Sequence, residues 1–193
     1  MSFLSNKFYK ILKDKRSPLY LYVISFSESI FLPIPTDTFL IPMALANKDR
    51  AISLALYTTL FSVLGGAIAY MIGFLLFDTV GIKIIENFDL IEKFQEFSLS
   101  INEYGYLFIF IAGFTPIPYK IAAIASGVSG ISFPVFIIFS LASRGLRFLS
   151  EAILCRSLGN RAENIIKKYF FVLTIILLVS LIGFIIIKKV IFN

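Results

Sequence analysis

The chain contains no histidine and a single cysteine, Cys155. The first absence removes the side chain most used for acid–base chemistry near neutral pH and the commonest metal ligand. The second excludes an internal disulfide and any Cys-x-x-Cys metal site. Cys155 itself reads as a small packed hydrophobe near a helix end. Charge is scarce too: 16% of residues are charged against 58% hydrophobic, and mean hydropathy is +0.89. A soluble domain of 193 residues is far more polar than this. The composition is that of one polytopic, all-α membrane domain. No nucleophile–base pair is visible, so neither an enzyme nor a catalytic residue is expected, and no cofactor or metal. The net charge of +6 reads as basic loops meeting anionic lipid, not as nucleic-acid binding.

Against this apolar background one pattern occurs twice. Phe31-Leu32-Pro33-Ile34-Pro35 and Phe114-Thr115-Pro116-Ile117-Pro118 share Phe-x-Pro-Ile-Pro, 83 positions apart (31 to 114). Leu19 to Leu32, before the first copy, gives roughly 21 Å of helix, short of the roughly 30 Å of a hydrocarbon core. Pro33 and Pro35 remove two amide donors and favour extended backbone before each. Thr36 and Asp37 suit the start of a new helix, Thr38 to Ala46. Two readings fit residues 18–46: a re-entrant hairpin, or one kinked helix. Broken backbone at membrane depth requires burial in protein or a water-filled cavity. Tyr104 to Phe114 is a second short arm, Pro116 and Pro118 break it, and Ile121 to Val128 returns to a turn at Gly127, Ser129 and Gly130.

The rest of the chain fits around these breaks. Residues 1–17 carry five basic residues and one acid, Asp14, with Leu4, Phe8, Ile11 and Leu12 on one helical face. They predict a basic amphipathic helix on the cytoplasmic surface, with no cleavage pattern of a signal peptide. Residues 51–77 are long enough to cross, and Gly65, Ala69 and Gly73, with Tyr70, form a small-residue stripe for helix packing. Residues 78–103 are acidic with an apolar stripe, a linker lying on the non-cytoplasmic face. Residues 132–155 form a second span interrupted by Arg144, Arg147 and Glu151, and 169–187 a third within a C-terminal segment, 169–193.

Each half thus reads arm, proline break, arm, long helix, with 18–77 matching 101–160. The expected domain runs 18–168, with repeat 1 at 18–77, the linker at 78–103 and repeat 2 at 104–160. If both hairpins are re-entrant they enter from opposite sides. That would be an inverted repeat, the architecture typical of secondary transporters.

The chain resembles the DedA family, also called the VTT or SNARE-associated Golgi protein family, and within it the small YqaA-like branch. Three places carry the likeness, over roughly 18–160. Glu28 with Pro33-x-Pro35 and Asp37 looks like the family's acidic first hairpin. Gly65-x-x-x-Ala69-Tyr70-x-x-Gly73 is similar to its Gly-x-x-x-Gly-Tyr-x-x-Gly motif, with alanine for one glycine. Phe114 to Lys120, followed by a glycine-rich turn, resembles its basic second hairpin. Family members usually have two arginines there; here Phe114 stands about where the first would be and Lys120 is the only cation. Arg144 or Arg147 is the candidate for the missing charge. The resemblance implies movement of lipids between leaflets in a multi-pass bacterial inner-membrane protein: undecaprenyl-phosphate carriers in bacteria, phospholipids in eukaryotic relatives. It also implies dependence on the proton motive force, and connects other members to envelope integrity and small-anion uptake.

The residues themselves support a polar cavity. Glu28, Asp37, Lys120, Arg144, Arg147 and Glu151 lie in apolar segments, three acids and three bases. Each would cost at least about 2.5–3.5 kcal/mol uncompensated at the bilayer centre, so mutual pairing is expected. Asp37 and Lys120 occupy matched positions of the two copies. An anionic or phosphate head group would find Lys120, the free amides of a half-helix starting near Tyr119, and bidentate contacts from Arg144 and Arg147. Glu28 and Asp37, acids without a basic neighbour in sequence, are the expected proton-coupling residues. Blander roles exist for each: Arg147 and Glu151 can neutralise each other at i, i+4, Asp37 can cap its helix, and Lys120 can pair with Asp37. The leading expectation is a transporter of a lipid phosphate or phospholipid, with membrane lipids and protons as partners and homo-oligomerisation left open. Its alternatives are a proton-coupled carrier of a small soluble anion and a non-transporting envelope or assembly protein.

Overall fold

The computed structural model describes residues 17–77, 81–87, 104–115, 118–159 and 161–162. Within them all regular structure is helical. Helix α1 spans Ser17–Ile30 and α2 Asp37–Ala46; a 3-10 turn at Lys48–Arg50 leads into α3, Ala51–Leu76. The short α4, Ile82–Asn87, follows. Then come α5 at Tyr104–Phe114, α6 at Tyr119–Val128 and α7 at Phe133–Leu158. Two stretches have the length and apolarity to cross a membrane, Lys48–Leu76 and Phe133–Leu158. The expected N-terminal surface helix, most of the acidic linker, Pro116 and the third span at 169–187 lie outside the described residues.

Helix α3 is the central element, packed against α1, α6 and α7. Lipid is as apolar as leucine, so close backbone approach, more than apolar burial, drives such packing. The small-residue stripe supplies it on two sides. A Cβ on Gly65 would lie 3.0 Å from the carbonyl carbon of Phe26 in α1. A Cβ on Gly73 would lie 3.0 Å from that of Ile124 in α6. Ala69 and Tyr70 are buried between them, and the Tyr70 hydroxyl donates to the Ile131 carbonyl beyond α6. The opposite face of α3, with Leu56, Leu60, Leu64 and Met71, is exposed and suits lipid.

The break between α1 and α2 is real but shaped differently from the expectation. Helix α1 ends at Ile30, not Leu32, because the amides of Phe31 and Leu32 both donate to the Ser27 carbonyl, each at 2.9 Å. Helix α2 begins at Asp37, one residue early, and neither Thr36 nor Asp37 caps it through a side chain. Their polar groups are drawn elsewhere: Thr36 toward Glu28, Asp37 toward Arg147. Helix α7 starts with Pro134 in its first turn, where the missing amide costs nothing. It ends at Gly159, whose φ of +56° suits glycine.

Candidate functional site

Helix α7 presents Ser140, Arg144, Arg147 and Glu151 inward, all buried. Steps of four, three and four residues keep them on one face. Arg144 reaches α1, where its guanidinium donates to Glu28 Oε2 at 2.8 Å and its Nε donates to Ser62 Oγ on α3 at 2.7 Å. Its plane lies against two rings, 5.1 Å from the Tyr119 centroid and 4.6 Å from that of Phe148. Such stacking favours a cation out of water. Arg147 reaches α2, where it pairs with the Asp37 carboxylate. It also donates to the Thr115 carbonyl, at the end of α5. Its Nε stands 3.6 Å from Glu151 Oε1, one turn along α7.

The two acids that lack a basic neighbour in sequence therefore each gain a guanidinium partner in space. The pairs bridge 116 and 110 residues, and each ties one arm of the first break to α7. Asp37 does not pair with Lys120. The Lys120 ammonium, at the start of α6, donates to the Leu32 carbonyl at 3.0 Å and the Phe31 carbonyl at 3.3 Å. It thus closes the carbonyl end of α1 with a cation, the favourable sign for a helix C-terminus.

Five of these six charged side chains, all but Glu151, line one cavity of about 330 Å³, walled by Leu32 to Thr36, Asp37, Pro118, Lys120, Glu28, Arg144 and Arg147. The site is thus assembled at the first break, with α6 as the opposite wall. Glu28 and Asp37 keep 14% and 20% of their side-chain surface, Arg144 and Arg147 only 3% and 7%. The acids face the opening and the arginines stand behind them. Tyr119 is fully buried beside Gly66 of α3, so it contributes a wall behind Arg144. Pro33, Pro35 and Pro118 border the cavity. Among the described residues no cluster of three or more metal-ligating side chains occurs.

A polar seam was not singled out from the sequence. Ser29 and Ser62 hydroxyls meet at 2.8 Å between α1 and α3, and Ser25 donates to the Thr58 carbonyl at 2.9 Å. The seam carries Arg144 through Ser62. Its signal was present as Ser25 and Ser29 at i, i+4 and as Thr58, Thr59 and Ser62 inside an apolar run.

The profile of the VTT domain matches residues 34–157, which takes in α2, α3, α6, nearly all of α7 and every cavity-lining residue except Glu28, Leu32 and Pro33. The chain belongs to the VTT domain family. The family is also the one that the two proline breaks and the glycine stripe resembled. An uncharacterized protein of Haemophilus influenzae is 36% identical over 81% of this chain and 81% of its own length. Another, of Histophilus somni, is 32% identical over 88% of each, and one of Methanocaldococcus jannaschii is 28% identical over 66% of this chain and 76% of its own. No solved structure matches. The protein is therefore a membrane protein of the VTT type, and its site must be read from its own geometry.

Proposed function

We propose that this VTT domain carries the phosphate head group of a lipid between leaflets of the bacterial inner membrane, as a multi-pass transporter. The observation that carries this reading is the 330 Å³ cavity, lined by three cations and two acids at the break between α1 and α2. Two of the cations are already neutralised by carboxylates. Lys120 is held by neutral carbonyls alone in the contacts described. It is the cation that an incoming phosphate recruits at the lowest electrostatic cost. Helix α6 begins beside the cavity at Pro118 and Lys120, and no side chain caps its first turn.

The architecture supports alternating access. Helices α2 and α6 are both ten residues long, about 15 Å, half of a hydrocarbon core. Helices α3 and α7 are both 26 residues long. In our reading the breaks are opposed re-entrant hairpins of an inverted repeat, joined to a third crossing at 169–187. Glu28 and Asp37 then exchange protons as their arginines exchange partners.

Lys120→Ala, reconstituted in liposomes carrying labelled lipids of different head groups with and without a pH gradient, tests this. Loss of translocation by a folded variant is expected; wild-type rates would dismiss the role. The cavity volume also favours a second reading, a carrier for a small soluble anion, because about 330 Å³ is the small end of ligand pockets. Entry of free phosphate without translocation of any lipid would select it. An assembly protein predicts instead that neutralising Glu28, Asp37 and Lys120 together leaves function intact.

A further inference from the structure

The Arg144 guanidinium is fixed both in its plane and within it. The rings of Tyr119 and Phe148, with centroids 5.1 Å and 4.6 Å from its central carbon, set the plane. Within the plane, Nε donates to Ser62 Oγ at 2.7 Å and Nη2 to Glu28 Oε2 at 2.8 Å. The Nε hydrogen and one Nη2 hydrogen share an edge of the fork, so that edge is spent. The other edge, Nη1 with the second Nη2 hydrogen, carries further donors. Among the described residues no acceptor takes them, and Arg144 borders the cavity. Unmade donors on a buried cation are costly. Two parallel N–H groups on one edge match two oxygens of a phosphate or carboxylate.

The two bonds on the spent edge differ in kind. Glu28 keeps 14% of its side-chain surface, and its charge is repelled by any anion that docks on Arg144. Ser62 is neutral and fully buried on α3, so neither solvent nor an anion displaces it. Its hydroxyl is also committed in direction. The Ser29 hydroxyl donates to the Ser25 carbonyl at 3.0 Å, and a hydroxyl has a single hydrogen to give. In the 2.8 Å contact between Ser29 and Ser62, Ser62 is therefore the donor. Its hydrogen goes to α1 and its lone pairs are left for Arg144. The hydrogen bonds run one way, from Arg144 on α7 through Ser62 on α3 to Ser29 and the Ser25 carbonyl on α1.

We propose that Ser62 is a positioning residue, holding the Arg144 guanidinium with its open edge toward the cavity so that two oxygens of a phosphate-type anion dock there. The docking half of this rests on the anion reading above. An anion on the open edge weakens the grip of Glu28, and Ser62 then keeps the arginine in place.

The full chain in lipid nanodiscs, with its arginines labelled with nitrogen-15, provides the test. The Arg144 Nε–H signal, the one missing from Arg144→Gln, is expected to exchange slowly with heavy water in the wild type. Ser62→Ala should speed that exchange about tenfold, the scale of one hydrogen bond to a charged group, and Ser62→Thr should restore it. Inorganic phosphate is then titrated in one arm and short-chain phosphatidic acid in the other. Ser62→Ala is expected to weaken the probe that binds by about tenfold. Binding of phosphatidic acid alone assigns the edge to a lipid, and binding of inorganic phosphate alone to a soluble anion. Ser25→Ala is the matched control. It removes a 2.9 Å hydrogen bond between the same two helices, to the Thr58 carbonyl, and leaves the Ser25 carbonyl in place, so exchange and affinity should match the wild type. Equal losses in Ser25→Ala and Ser62→Ala would make Ser62 a packing residue and overturn the proposal, as would wild-type exchange or affinity in Ser62→Ala. Should Ser62→Ala fail to fold, Ser62→Cys serves, because sulfur is a weak acceptor; wild-type behaviour there is equally fatal. A slow Nε–H that depends on Ser62, in a protein that binds neither probe, would leave the positioning of Arg144 standing and sink the anion reading.

Discussion

Gly73→Ala is the sharpest probe of how the cavity walls are held together. A Cβ there would stand 3.0 Å from the Ile124 carbonyl carbon and 3.1 Å from its Cα, closer still to the oxygen. Ordinary carbon–oxygen approach is about 3.3–3.6 Å, so α3 and α6 must part by roughly 1 Å. These are backbone atoms in a helix, and no rotamer change relieves them. Gly145→Ala on α7 is the matched control, because its Cβ would meet only the Thr59 methyl, at 3.7 Å. Both substitutions gain about 1 kcal/mol of intrinsic helix preference, so their difference isolates the clash. Overpacking of this kind costs about 1–3 kcal/mol. Denaturant unfolding in mixed micelles is expected to place Gly73→Ala below Gly145→Ala by that amount. Because α6 begins with Tyr119 and Lys120, the separation also loosens the Lys120 contacts. Equal stability of the two variants would refute the close α3–α6 approach, and with it the wall opposite the first break.

Three further outcomes follow from the same geometry. Glu28→Gln strands the buried Arg144 and is expected to destabilise by about 3 kcal/mol; Arg144→Gln leaves the part-exposed Glu28 and should cost less. The double variant should cost less than the two added together by at least about 1 kcal/mol; strict additivity in micelle unfolding would argue against the pair. Tyr70→Phe removes the hydrogen bond to the Ile131 carbonyl. It should cost about 1 kcal/mol, seen as a lower thermal midpoint with the helical circular dichroism unchanged.

Local chemistry made much of this legible in the sequence. Prolines announce breaks because they delete donors, and the Gly65–Ala69–Gly73 stripe announces close packing because only small residues allow it. Tyr104 to Phe114 was readable as a short arm from its bounding residues alone. The partners of the charges were not readable. Glu28 finds Arg144 across 116 positions because α1 and α7 both pack on α3, and no local signal carries that. The same holds for Asp37, which looked unpartnered from its neighbours and instead meets Arg147. Helix ends shifted by one or two residues for a related reason. At the start of α2, Asp37 is claimed by the long-range ion pair with Arg147.

Those long-range contacts also satisfy the backbone where the helices break. A helix that stops leaves carbonyls without donors, and in hydrocarbon such groups must be satisfied by protein. Here the donors are cations. Lys120 takes the Phe31 and Leu32 carbonyls beyond α1, and Arg147 takes the Thr115 carbonyl beyond α5. Lys120 thus has a structural duty besides the one proposed for transport, and Lys120→Gln separates the two. Glutamine keeps an N–H for the Leu32 carbonyl but brings no charge, so the stability loss should stay near about 1 kcal/mol, the scale of a cation at a helix C-terminus. Lys120→Arg keeps both duties. If an anion is drawn to this ammonium, translocation in liposomes collapses in Lys120→Gln and survives in Lys120→Arg, while both remain folded. If Lys120 only closes the end of α1, both variants transport alike, and the anion must be sought at the arginines behind it.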